Sequence, residues 1–331
     1  MKKIIKYIAV TLCVIIALGI SGTFIGAYIQ GGIDKYSLPD NFDSAMQQID
    51  NIKQDDEVRI MTSNLLVHYK SWGGSDARPR AKMFFETLNT YRPDVIGIQE
   101  VSGQWFNCIM RNKGNYRMLY PFSTGALMRM TALMYNSETL TLIDKGQIAY
   151  EQGNDSRLRR AVWGVFESKN TRERFAVIST HFDCIRENEE ELMYSYMEYQ
   201  TKKIAEISAE LKEEYNVPVF SIGDFNTKNQ GKGVDPIMDA PEIYDELCKE
   251  FTDTRLVSKE KVSGNALDSA DEPTWDHIFL DGEAQINRYA IVSPEALSTM
   301  SDHYPISMVT SYFDPATKLI YAIGAVVGLI G

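Results

Sequence analysis

The chain has 331 residues, 44% of them hydrophobic and 24% charged. That suffices for one large packed domain and excludes both a disordered chain and one wholly embedded in a membrane. The formal net charge of −11 excludes broad electrostatic adhesion to nucleic acid or anionic lipid, because no global excess of Lys and Arg exists to displace counterions.

The chain begins MKKIIK, and Tyr7 to Ile29 then runs without a charge. A bilayer core of roughly 30 Å needs about 20 helical residues, so this run predicts a transmembrane helix. Lys2, Lys3 and Lys6 put the N-terminus in the cytoplasm and everything after the helix outside. The competing reading is a cleaved signal peptide, with GIS at 19–21 as the small-residue site; the length of the apolar run favours the anchor. Residues 30–57 are polar and acidic and read as a linker.

From Val58 onward, strand-like and helix-like runs alternate. VRIMTSNLL (58–66) reads as a strand, and RPRAKMFFETLNTY (78–91) as a helix, with apolar residues at Ala81, Phe84, Phe85, Leu88 and Tyr91. DVIGIQEV (94–101), ALMYNS (132–137), AVWGVFES (161–168) and RFAVISTHFD (174–183) read as strands. A long charged helix follows at 191–215. Strands PVFSIGDFN (218–226), TWDHIFLDG (274–282) and HYPISMVTSYF (303–313) complete a domain spanning 58–313. Within 314–331, Leu319 to Gly331 is apolar but too short to cross a bilayer as a straight helix. It reads as a helix packed on the domain or as a second membrane contact.

Polar residues gather at the strand ends. Asn64, Glu100, His181 with Asp183, Asp224 with Asn226, Asp276, and Asp302 with His303 each sit at a strand terminus. A buried, unpaired carboxylate costs several kcal/mol, so six such clusters point to one shared polar edge. Carboxylates and amides without cysteine form a hard, oxygen-rich site suited to Mg²⁺, with Mn²⁺ or Ca²⁺ as alternatives. The scattered Cys13, Cys108, Cys184 and Cys248 give no zinc spacing and no disulfide framework. Such a site, with histidines beside it, suits attack of water on a phosphoester.

The ordered motifs RIMTSNLL, PDVIGIQEV, STHFD, SIGDFN, TWDHIFL and SDHYPI, from Arg59 to Val309, resemble those of the endonuclease/exonuclease/phosphatase (DNase I-like) superfamily. The resemblance implies a four-layer α/β sandwich, two packed β-sheets flanked by helices. It implies Glu100 as the principal metal ligand, with Asn64 and Asp302 beside the metal. Asp224 would orient or deprotonate the attacking water, Asn226 and His181 would contact the phosphate, and Asp276 would orient His303, the transition-state partner. Arg157, Arg159 and Arg160 are looser candidates for gripping substrate phosphates. His277 and His68 read as structural or incidental. The expected protein is a membrane-anchored, extracytoplasmic, metal-dependent hydrolase. Its substrate would be nucleic acid, a phospholipid, or a sugar or inositol phosphate. The alternative is a non-catalytic binding module on the same fold, which predicts a broken set of site residues.

Overall fold

A computed structural model describes residue 26 and residues 29–47, 53–120, 130–151, 159–229, 233–263, 274–292 and 295–311. The expected anchor (save Gly26 and Ile29), Arg157 and everything from residue 312, including the expected C-terminal tail over 314–331, lie outside these. Among the described residues no helix is long and apolar enough to cross a membrane.

One sheet has seven strands: β1 (Val58–Asn64), β2 (Val95–Val101), β3 (Tyr116–Leu119), β4 (Met130–Asn136), β10 (Glu260–Ser263), β12 (Gln285–Ile291) and β13 (Ile306–Ser311). Their order is β10-β12-β13-β1-β2-β4-β3. The other has six: β5 (Leu140–Ala149), β6 (Arg160–Ser168), β7 (Arg174–His181), β8 (Val219–Asp224), β9 (Thr252–Asp253) and β11 (Asp276–Asp281). These run β5-β6-β7-β8-β11-β9.

The strands carry apolar residues on both faces because both are covered. Val58, Ile60, Val95, Val177, Phe220, Ile222, Ile278 and Met308 pack between the sheets. On the outer face of the seven-stranded sheet, Met61, Ile96 and Ile98 meet α2 (Ala77–Tyr91) through Phe84 and Leu88, and α3 (Gly103–Asn112) through Trp105 and Ile109. On the outer face of the six-stranded sheet, Ala176, Ile178 and Val219 meet α4 (Glu190–Tyr215) and α5 (Pro241–Glu250). The result is an α/β sandwich of two mixed sheets flanked by helices. Burial on two sides explains why β1 and β2, buried at every position, read as apolar runs rather than alternating strands. Gly97 lets the sheets approach closely, since a Cβ there would lie 2.7 Å from Ser179 Oγ and 2.9 Å from Ile222 Cδ1.

The topology also explains where the polar strand ends go. β1 and β2 are parallel and joined through α2, and β7 and β8 are parallel and joined through α4, so each pair presents its carboxyl ends together. β11 runs antiparallel to β8 with Asp276 opposite Asp224, and β13 runs antiparallel to β1 with Ile306 opposite Thr62. Both antiparallel strands therefore start at the edge where the parallel ones stop.

Part of the lead-in expected as a polar linker over 30–57 packs on the domain. Ile33, together with Phe42 and Met46 of α1 (Phe42–Gln47), is buried in the helix-side core, and Lys53 pairs with Asp94 at 2.8 Å. The polar composition hid three apolar anchors spaced too widely to register as an element.

Candidate active site

β1 ends at Asn64, whose side chain works in two directions. Its Oδ1 accepts from Leu66 N at 3.0 Å, turning the chain, and its Nδ2 donates to Asp224 Oδ2 at 2.9 Å. That second bond runs from one sheet to the other. His181, opposite Asp224 in register, places Nε2 3.3 Å from Asp224 Oδ2. Asn226, with φ of 49°, returns its backbone N–H to Asp224 Oδ1 at 2.9 Å and donates its Nδ2 to Phe182 O at 2.9 Å.

Glu100 stands in β2 at φ 60°, where the pairing with β4 slips between Ile98 and Val101. A left-handed non-glycine residue costs on the order of 1–3 kcal/mol, and such a bulge re-aims a side chain. Here the carboxylate is buried and accepts the Val67 N–H at 3.0 Å.

The last pair is Asp276 and His303. Asp276 Oδ2 lies 2.5 Å from His303 Nδ1, and His303 Nε2 points toward Asp224 Oδ2 at 4.0 Å. Ser301 fixes the approach, donating its hydroxyl to Asn64 O at 2.7 Å and accepting the His303 N–H at 3.2 Å. Asp302 itself is exposed, unlike the other carboxylates.

Burial alone would push the His303 imidazole down, but the Asp276 and Asp224 carboxylates outweigh it and raise it to about 10. Burial raises Asp276 to about 6 against the pull of His303. Burial also opposes ionisation of Asp224, yet the two histidines and the Asn226 amide hold it well below the usual carboxylate range. At neutral pH the edge thus holds an imidazolium between two ionised carboxylates.

Ligand atoms of Asp224, Asp276 and His303 lie within 4.8 Å of one another and by distance can hold a metal ion. A cation competes poorly for an imidazole that is already protonated and engaged at Nδ1. The oxygen donors on the other side, Glu100 and Asn64, fit a hard divalent cation better. The buried Asp276 Oδ1, which meets no hydrogen-bond donor, marks this edge as short of positive charge.

Solved structures carry the comparison further. A mannosyl-6-phosphatase from Bacteroides thetaiotaomicron VPI-5482 is 19% identical, with a TM-score of 0.62 over 77% of this chain and 100% of its own. An endonuclease/exonuclease/phosphatase family protein from the same species is 20% identical, with a TM-score of 0.61 over 77% of this chain and 94% of that one. The human Nocturnin catalytic domain with bound sulfate is 16% identical, with a TM-score of 0.55 over 78% and 94%. The chain has the endonuclease/exonuclease/phosphatase fold. No family model and no curated protein matches the sequence.

Within this fold the structure brings Asn64, His181, Asp224, Asn226, Asp276 and His303 into one hydrogen-bonded group, with Glu100 tied to the loop that follows Asn64. The arginine candidates fare differently. Arg159 is 2% exposed and faces the buried Asp183 at 3.4 Å, an internal ion pair. Arg160 opens the inner strand β6 opposite Ala149, one step past the Ala161–Thr180 pair, which sets its backbone beside His181 at the end of β7. His277 is fully buried among Phe225, Tyr244 and Phe279, with Nε2 2.9 Å from Thr227 O, a packing role.

Two residues at this edge went unread in the sequence. Arg80 is 3% exposed and donates to the carbonyls of Leu65, Leu66, Val67, Ser75 and Met300 at 2.7–3.1 Å. It ties the loops after β1 and before β13 into one support beneath the site. Its signal was a charge on the apolar stripe of α2. Arg80→Met keeps the stem and orphans those carbonyls. It should lower unfolding free energy by about 3 kcal/mol, and a loss below about 1 kcal/mol in chemical denaturation would reject this role. The other is Trp275, 37% exposed, with its ring 5.5 Å from the His303 ring and its indole N–H on Asp239 Oδ1 at 2.9 Å. Lys228 Nζ sits 3.8 Å from the Trp275 ring centroid.

Proposed function

We propose that the protein is a divalent-metal-dependent phosphoesterase, exported and held at the membrane by its N-terminal segment. One observation carries the catalytic part: Asp276, His303 and Asp224 form a carboxylate–imidazole–carboxylate chain at the edge where both sheets end. The similarity to a mannosyl-6-phosphatase and to Nocturnin supports phosphoester chemistry. The uncharged run from Tyr7 to Ile29, behind Lys2, Lys3 and Lys6, supports the anchored, extracytoplasmic placement.

In this reading the phosphate sits against His181, Asn226 and His303. The imidazolium of His303 donates a hydrogen bond to a phosphoryl oxygen and offsets the charge that grows there, while Asp276 holds its ring and its proton. Asp224, with its depressed basicity, orients the attacking water through one oxygen and takes the proton only as the new P–O bond forms. Glu100, Asn64 and Asp302 would hold the cation, which when bound supplies Lewis acidity toward the phosphate.

Glu100→Gln keeps the shape and the contact to Val67 N–H but removes a charge from the cation site. Its Mg²⁺ titration should shift to at least about tenfold higher concentration. A titration that overlays the wild type would remove Glu100 from the ligand set. The substrate proposed is a small phosphorylated molecule. Long nucleic acid needs a basic groove, and Arg159 is spent inside the fold.

A further inference from the structure

A cavity of about 550 Å³ opens between the segments that follow β1 and β2, the two strands that carry Asn64 and Glu100 near their ends. His68 lines it, one residue beyond Val67, whose amide holds the Glu100 carboxylate. Ser102, two residues beyond Glu100, braces His68 through both its backbone N–H (3.2 Å) and its Nδ1 (2.6 Å). A molecule whose phosphate lay at the His303 edge could thus extend its organic part into this space.

We infer that the cavity is the subsite for the sugar or polyol part of a phosphorylated carbohydrate, an inference that rests on the phosphoesterase reading above. The lining decides the chemistry. His68 and Tyr69 present adjacent rings, 4.0 Å between centroids, with Phe106 across the cavity wall. Such faces suit the C–H side of a sugar ring. Gln30 and Asn107 bring side-chain amides, each both donor and acceptor, which match hydroxyls that are the same. Arg78 is held by Asp76, with Nε 2.9 Å from Oδ1 and 3.2 Å from Oδ2 and Nη2 2.6 Å from Oδ2. Its charge is therefore balanced, and the cavity has no excess of positive charge to draw a nucleic acid backbone.

The wall at Gln30 belongs to the lead-in segment, and packing sets its position. Asn112 Nδ2 donates to Gly31 O at 2.9 Å, Arg111 pairs with Asp34 at 3.5 Å, and Ile33 is buried. Gly31 lies so close to the Asn107 carbonyl that a Cβ would collide with it.

Arg78→Gln and Asn107→Ala test the subsite in the full chain, both substituting good helix formers in helices. With Mg²⁺, kcat/KM for mannose 6-phosphate is compared with that for phenyl phosphate. Each variant should lower the ratio by at least about tenfold, chiefly through KM, the scale of one lost polar contact. An unchanged ratio in both variants overturns the inference. A second measurement separates it from the catalytic reading: calorimetric binding of mannose 6-phosphate and of inorganic phosphate to His303→Ala. Sugar phosphate binding at least about tenfold tighter supports the subsite even if the wild type turns over nothing, a result that would sink only the catalytic reading. Equal affinities, or no binding of either, overturn the subsite whatever the turnover.

Discussion

His303→Ala is expected to lower phosphoester turnover by about 10²–10⁴-fold, the range for losing a positioned proton donor, with the fold intact. The size follows from the surroundings. His303 is the one group at this edge that brings a proton toward the phosphate side while both Asp276 and Asp224 stabilise its charged form. Its ring also lies largely out of water, where such a charge acts through a lower dielectric. Asp276→Asn provides the control that separates position from charge. It keeps a polar group against Nδ1 but removes the carboxylate that holds the imidazolium, so it should lower kcat more than it raises KM. Near-native turnover in His303→Ala would remove the residue from the mechanism.

Asp224→Asn should cost a similar factor, about 10²–10⁴ in kcat, for a different reason. Among the described residues, Asn64, His181 and the Asn226 backbone amide all turn to Asp224, and Asn64 and Asn226 donate hydrogen bonds to it. An amide nitrogen in place of one oxygen would set donor against donor and remove the acceptor that orients water. Because Asp224 is 1% exposed, the lost acceptor cannot be replaced by bulk solvent. The readout is kcat at saturating Mg²⁺ beside a far-ultraviolet circular dichroism spectrum. Folded protein with retained kcat would assign the water to another group.

Much of this edge was legible because a carboxylate, amide or histidine at the end of an apolar run is costly unless it has partners. Asn64, Glu100, His181, Asp224 and Asp276 all interrupt runs that are otherwise buried, and the parallel pairs β1–β2 and β7–β8 bring them together. The expected helices at 78–91 and 191–215 correspond to α2 and α4, within a residue at their starts. Other elements had weaker signals. β5 is an edge strand, exposed or half-buried at most positions, so its text LTLIDKGQIA carries no apolar run. The short α3 does carry a buried stripe, Trp105, Cys108 and Ile109, but it spans only ten residues directly after β2 and went unread. Arg80 and Arg159 mark the limit of residue-type reasoning. Both are arginines near a phosphate-type site, and both are turned inward, one onto carbonyls and one onto Asp183, which only the packing reveals.

The central claim, metal-assisted attack of water on a phosphoester at the Asp224–His303 edge, is tested most directly by one assay. Full-length protein stripped of metal is given Mg²⁺, Mn²⁺ or Ca²⁺ and phosphomonoester and phosphodiester substrates, in water enriched in heavy oxygen. The account predicts turnover only with added cation, with the heavy oxygen found on the released phosphate. Turnover that persists without metal, heavy oxygen on the alcohol instead, or no turnover of any phosphoester would contradict it.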